Sequence, residues 1–168
     1  LAKKLAATFP SDHIRVIHNG VDCDALRASS AIADFKDVMP THIHIGIIGR
    51  IEPVKRVDIF IEMAALLLKQ PAVSQQLFFH VIGDGRLRSD MEALVVSLGI
   101  TEHVRFHGHR SDMASCIASL DVIVMCSDHE GTPMTALEAL ALGTPLIAHD
   151  VGGLHELLQS YSAVLVQD

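Results

Sequence analysis

The sequence predicts an α/β domain: a doubly wound, mostly parallel Rossmann-like sheet with helices on both faces. Two observations predict it. Short runs rich in Val, Ile and Leu alternate along the chain with longer amphipathic segments. Several of these runs lack any polar alternation, as expected of strands buried on both faces of a parallel sheet. The bulk composition agrees, since 49% hydrophobic residues in a chain of 168 are enough to build one core, and six Phe, one Tyr and no Trp make that core aliphatic.

The elements follow in order. Residues 1–13 form the tail of a helix and a turn at Pro10-Ser11-Asp12, and Ile14-Arg-Val-Ile17 is a short strand ending in the turn His18-Asn19-Gly20. Residues 23–40 are a polar connecting segment with one or two helical turns, so residues 1–40 form a lead-in and 41–168 the sheet domain proper. His42–Ile48 is a strand, followed by the loop Gly49–Pro53 and a helix over 55–70 with its apolar stripe at Val57, Phe60, Ile61, Ala64, Leu67 and Leu68. Leu77–Ile82 is the next strand, with a turn at Gly83-Asp-Gly85. Leu87, Met91, Leu94, Val95 and Leu98 then mark an amphipathic helix closed by Gly99. Val104–Phe106 is a short strand with loop His107–Arg110. Asp112–Ser119 is a short helix, and Asp121–Met125 a strand buried on both faces. Thr132 and Pro133 occupy N-cap and first-turn positions of a helix that Gly143 ends. Pro145–Ala148, Leu154–Gln159 and Ala163–Val166 supply a strand, a short helix and a last strand.

Several function classes are disfavoured. A net charge of −7 argues against a general nucleic-acid binder, although individual phosphates need only a few well-placed cations. Three cysteines without a C-x-x-C pair indicate neither a disulfide framework nor a zinc knuckle, and favour a reducing, cytoplasmic setting. There is no G-x-G-x-x-G, Walker A or G-x-S-x-G pattern. His42/His44 and His107/His109 are i, i+2 pairs on one strand face, with no further metal ligands beside them. No apolar run approaches the ~18–20 residues of a membrane span, and no signal peptide is apparent. An initial Leu1 and a stop straight after a strand give the expectation that the chain is a piece of a longer protein.

In a sheet of this kind the loops after the strands open on one edge. That edge gathers Arg50, Lys55, Arg56 and Arg86, the turn glycines Gly49, Gly83 and Gly85, and a helix N-terminus at residues 131–134. In an acidic chain such a gathering suits a diphosphate. Glu130 and Glu138 lie eight positions apart across the strand–loop–helix junction. A helical wheel puts Met134, Leu137 and Ala141 inward with Glu138 beside them. A carboxylate there needs hydrogen-bond donors, which sugar hydroxyls or a neighbouring loop could supply.

These motifs resemble, in order, those of the C-terminal donor-binding domain of the retaining family 4 glycosyltransferases (glycosyl transferases group 1), which have the two-domain GT-B fold. Val16-Ile-His-Asn-Gly-Val-Asp22 is similar to the family's V-I-P-N-G-V-D, and Gly49-Arg-Ile-Glu-Pro-Val-Lys55 to its G-R-L-x-x-x-K. Gly83-Asp-Gly85 matches its G-x-G turn and Glu130–Glu138 its E-x7-E, with Gly143-Thr-Pro145 and Val151-Gly-Gly153 following. Two departures are His18 in place of proline and Arg56 where many members carry glycine.

The resemblance implies transfer of a sugar from a nucleotide-diphosphate sugar to an acceptor with retention of configuration. Arg50 and Lys55 would neutralise the diphosphate and leaving charge, and Glu130 would position the transferred sugar. Glu138 would bind the ribose. Gly49, Gly83, Gly85, Gly131, Thr132, Pro133 and Met134 would line the donor, with His109 and Arg110 near the base. It further implies no metal, no other cofactor, an absent N-terminal acceptor domain as partner, and a cytoplasmic enzyme, with a membrane surface within reach of that absent domain. The rival readings are a nucleotide-sugar epimerase or phosphorylase of the same fold, or a non-catalytic nucleotide-binding module.

Overall fold

The computed structural model describes residues 13, 15, 17, 19–72, 74–159 and 164–166. It contains a six-stranded sheet built from β1 (Ile43–Ile48), β2 (Leu77–Ile82), β3 (Val104–Gly108), β4 (Val122–Met125), β5 (Leu146–His149) and β6 (Val164–Val166). The strand order is β3-β2-β1-β4-β5-β6, and every strand pairing is parallel. The chain thus builds outward from β1 in one direction, returns, and builds outward from β4 in the other. The reversal leaves a crevice beyond the C-terminal ends of β1 and β4, where open α/β sheets bind ligands.

Seven helices accompany the strands among the described residues: α1 (Cys23–Ser29), α2 (Asp34–Val38), α3 (Val57–Leu68), α4 (Arg88–Ser97), α5 (Met113–Ser119), α6 (Met134–Leu142) and α7 (Gly153–Leu158). Alternation along the strands divides the core in two. Ile45, Ile47, Phe79, Val81, Val124 and Cys126 face α3 and α4 and pack on Phe60, Ile61, Ala64 and Val95. Ile48, Ile82, Ile123, Met125, Leu146 and Ala148 face the other way, onto Cys116, Ile117, Ala136, Ala139, Leu154 and Leu158. β2 is buried along its whole length, which explains why its sequence shows no alternation.

Several sequence expectations shift. The helix expected over 55–70 is divided: a 3-10 turn spans Pro53–Lys55, Arg56 adopts a left-handed conformation (φ 48°, ψ 49°), and α3 begins at Val57. β3 continues through His107 and Gly108, so the loop expected at His107–Arg110 starts later, at His109. Residues 23–40 do hold two short helices; Asp22 caps α1 by accepting from the Ala25 amide at 3.0 Å. Of the expected strand at Ile14–Ile17, Ile14 and Val16 lie outside the described residues and Arg15 and Ile17 belong to no element. The helix tail and Pro10–Asp12 turn also lie outside the described residues, as do His18 and Ala163.

Candidate active site

The site grows from the β1 and β4 loops. After β1, the backbone of Gly49 and Ile51 is pinned to the β2 loop, with the Gly49 amide donating to the Ile82 carbonyl and that of Ile51 to the Asp84 carbonyl, each at 3.0 Å. This approach is close enough that a Cβ at Gly83 would run into the Gly49 carbonyl, and one at Gly85 into that of Ile51. The two turn glycines therefore set the position of the Arg50–Lys55 segment. A backbone bond from the Asp128 amide to the Val54 carbonyl (3.0 Å) then joins the β1 loop to the β4 loop.

Two side-chain pairs run alongside that bond. Lys55 Nζ meets Glu130 Oε1 at 2.5 Å. The Arg56 guanidinium bonds both oxygens of Asp58 and reaches Asp128 Oδ1 at 3.1 Å. These carboxylates raise the Arg56 pKa, and the guanidinium in turn holds Asp58 below the usual carboxylate range. Glu130 is 8% exposed. Its Oε1 also accepts from the buried Ser127 hydroxyl at 2.7 Å. Oε2 has no hydrogen bond among the described residues, yet it is not sealed from solvent.

The β5 loop braces the same segment. The Gly153 amide donates to the Glu130 carbonyl at 3.0 Å. A Cβ at Gly152 or Gly153 would strike the carbonyls of Glu130 or Gly131 respectively. On the other side, Asn19 Nδ2 donates to the Thr132 carbonyl at 3.2 Å, which gives the lead-in Asn-Gly turn a direct hold on the site.

Helix α6 opens onto this loop, but its cap differs from expectation. Pro133, not Thr132, is the N-cap residue, with extended backbone (φ −71°, ψ 128°) and no side-chain cap bond. A proline cannot cap with its side chain, and while the Ala136 amide donates to the Pro133 carbonyl at 3.1 Å, the amides of Met134 and Thr135 stay open to an outside acceptor. The inward face differs too. Ala136 and Ala139 are the fully buried residues of α6, while Met134 is 43% exposed. The wheel expected Met134, Leu137 and Ala141 inward because they are apolar; the small alanines win because they let the helix approach the sheet. Glu138 lies roughly 130° round the helix from the midpoint of that alanine face. It is nevertheless half-buried, and burial raises its carboxyl pKa. It has no hydrogen bond or ion pair among the described residues.

The expected residues therefore fall into groups. Gly49, Arg50 and Lys55 lie on the segment after β1, and Glu130, Gly131, Thr132, Pro133 and Met134 on the segment after β4, with Arg50 exposed and Gly131 open above its Cα. Gly83 and Gly85 support the crevice from behind. Arg86 is paired with Glu52 at 2.7 Å and Arg56 with its two aspartates, so of the four cations only Arg50 has no carboxylate partner among the described residues. Arg110 is held by Asp34 (3.0 Å) and Asp112 (2.6 Å), tying α2 to the start of α5, while His109 is exposed. Among the described residues no group of three or more His, Cys, Asp or Glu is arranged to hold a metal ion. Nor is any helix long and apolar enough to cross a membrane.

A feature that spacing did not reveal lies across β1, β2 and β3, on the sheet face that carries Ile48 and Ile82 and meets Phe35. His44, His80 and His107 form a hydrogen-bonded row across β1, β2 and β3, with both ring-to-ring N···N distances 2.8 Å. Phe35 packs against it with its ring tilted by 37°, its centroid 4.4 Å from that of His80. The i, i+2 pairs noted in the sequence are thus not the operative ones, because the partners sit on neighbouring strands.

Comparison with known proteins is consistent with this geometry. Residues 34–168 match the model of the family described as glycosyl transferases group 1. A D-inositol 3-phosphate glycosyltransferase of Geodermatophilus obscurus is 32% identical over 179 aligned residues, covering 99% of this chain and 40% of that protein. The chain thus spans less than half the length of that relative. The C-terminal domain of a glycosyl transferase group 1 family protein (LpcC) from Francisella tularensis is 28% identical, covers 88% of this chain and 80% of its own, and superposes with a TM-score of 0.72. Anabaena Alr3699/HepE, solved in complex with UDP and glucose, shares the fold with a TM-score of 0.81 at 22% identity, covering 97% of this chain and 46% of that one. The family match over most of the chain, the relative's identity and the Rossmann-like fold agree: this chain belongs to the glycosyl transferases group 1 family.

Proposed function

We propose that the chain is the donor-binding half of a retaining glycosyltransferase that uses a nucleotide-diphosphate sugar. The observation that carries this reading is the Lys55–Glu130 pair, which brings a cation from the β1 loop and a carboxylate from the β4 loop to the sheet's switch point beside the open N-terminus of α6. The diphosphate lies between Arg50, Lys55 and the Met134 and Thr135 amides of α6, where fixed positive charge compensates the leaving group without a divalent metal. The half-buried Glu138 accepts from the ribose hydroxyls, which recovers the cost of its desolvation. Glu130 faces the transferred sugar. With one oxygen shared between an ammonium and a hydroxyl it is a poor nucleophile, so its role is to position the sugar and stabilise developing positive charge. HepE, of like fold, was solved with UDP and glucose, which supports a nucleotide-sugar ligand. The acceptor is bound by a separate domain.

Calorimetric titration of the chain with UDP, GDP and ADP tests the reading. One of the three binds, and Glu138→Ala weakens it by roughly tenfold, as expected for loss of one or two hydrogen bonds to a charged group. Absence of binding by all three at millimolar concentration contradicts the reading.

A further inference from the structure

Ser127 lies two residues after β4, in the segment that leads to Glu130. It is 2% exposed, and its hydroxyl donates to Glu130 Oε1 at 2.7 Å. The same oxygen takes Lys55 Nζ. Two donors from different loops converge on one oxygen of a carboxylate that has two. The consequence is orientational: rotation of the carboxylate about its terminal bond would break both contacts, so the oxygens are no longer equivalent. Oε1 belongs to the protein, and Oε2 remains the acceptor open to a ligand.

We infer that Ser127 is a positioning residue for the sugar half of the donor, presenting Glu130 Oε2 to a sugar hydroxyl. The inference rests on the donor-site reading given above, but adds a division of labour within it. Lys55 alone cannot fix the carboxylate, because an ammonium is a point charge whose attraction depends weakly on which oxygen it meets. If a phosphate also draws on Lys55, the lysine is shared, and the Ser127 hydroxyl becomes the contact that keeps Glu130 in place while the lysine reorients. The neighbouring backbone is already anchored: Asp128 is tied to Val54 and Glu130 to Gly153. The side-chain torsions of Glu130 are the remaining freedom, and Ser127 removes it.

The test compares affinities for UDP, GDP and ADP with those for their glucose conjugates, in the wild type, Ser127→Ala, Ser127→Cys and Ser127→Thr, with circular dichroism as the check on folding. Cysteine is close to serine in size but a weak donor, so it replaces alanine if alanine disturbs the fold. The wild type should bind the conjugate of its preferred nucleotide more tightly than the free nucleotide. In the alanine and cysteine variants the free nucleotide should bind unchanged while the conjugate weakens roughly three- to tenfold, or about 0.6–1.4 kcal/mol. Threonine should restore it. A purely structural role would lower both affinities together and overturn the inference; so would unchanged affinity for both in the alanine and cysteine variants. If the wild type binds neither nucleotide nor conjugate, the donor-site reading itself fails and the inference falls with it.

Discussion

Acid should destabilise this fold through its histidine row, and the size of the effect follows from the hydrogen bonds. His44 Nε2 lies 2.9 Å from the Met39 carbonyl, which can only accept, so that nitrogen carries a proton. His44 Nδ1 must then accept from His80 Nε2, and His80 Nδ1 from His107 Nε2. His44 and His80 are thus neutral, each in one tautomer, and His107 donates through Nε2. A proton added to His44 or His80 would set N–H against N–H. Burial accordingly pushes the pKa of His80 down to about 2 and that of His107 to about 4, and lowers that of His44. Nearby Arg105 and Arg110 act in the same direction on this row, as does Lys36 on His44, while Asp34, Asp112 and Asp121 oppose them in part.

A histidine whose folded pKa is depressed contributes stability that is complete above its unfolded value, near 6.5, and that is lost as pH falls below it towards the folded value. Between pH 7 and pH 5 each such ring costs about 2 kcal/mol, so His80 and His107 together cost about 4 kcal/mol. That is a large share of the ~5–15 kcal/mol that holds a domain together. Glu138, whose pKa is raised, works in the opposite sense nearer its own range and offsets only part of the loss. Urea unfolding followed by circular dichroism at pH 7 and pH 5 measures the difference. His80→Gln, which can give and take a hydrogen bond but does not titrate, should remove about half of the pH dependence. Equal stability at the two pH values, or an unchanged pH dependence in His80→Gln, would refute the tautomer argument.

Other perturbations separate the forces at the site. Arg56→Gly relieves the left-handed backbone while losing partly exposed ion pairs, so stability should change by less than about 1 kcal/mol. Arg56→Ala loses the pairs and keeps the strain, and should cost about 1–2 kcal/mol; equal unfolding midpoints for the two variants would contradict this. Gly153→Ala drives a Cβ into the Gly131 carbonyl and should cost at least ~2 kcal/mol in urea unfolding, together with loss of nucleotide binding by calorimetry. An alanine variant that binds as the wild type does would show that the β5 loop does not brace the Glu130 segment.

The strands were legible because burial on both faces writes itself as uninterrupted apolar runs; the expected and observed limits of β2 coincide. The loop motifs were legible as candidates because glycines, cations and a carboxylate pair fell at strand ends. What joins them was not. Lys55 and Glu130 are 75 residues apart and meet because β1 pairs with β4, a consequence of strand order that no local spacing encodes. The histidine row escaped notice for the same reason, since His44 and His80 are cross-sheet neighbours. The inward face of α6 departs from its most apolar stripe because small size decides how closely the helix can approach, and Thr132 reads as the cap because proline offers no capping atom. Arg56 shows the reverse gain. Its positive φ is a conformation that favours glycine, and its ion pairs with Asp58 and Asp128 show what this chain sets against the strain.

On the proposed reading, the crevice beyond β1 and β4 receives a nucleotide diphosphate. Amide chemical-shift mapping of the isotopically labelled chain during titration with UDP, GDP or ADP tests it most directly. The largest shifts should fall at Gly49, Arg50, Gly131, Thr132, Met134 and Thr135, with little change at Ile43, His44 and Val122 on the opposite edge of the sheet. Shifts concentrated on that opposite edge, or none with any of the three nucleotides, would contradict it.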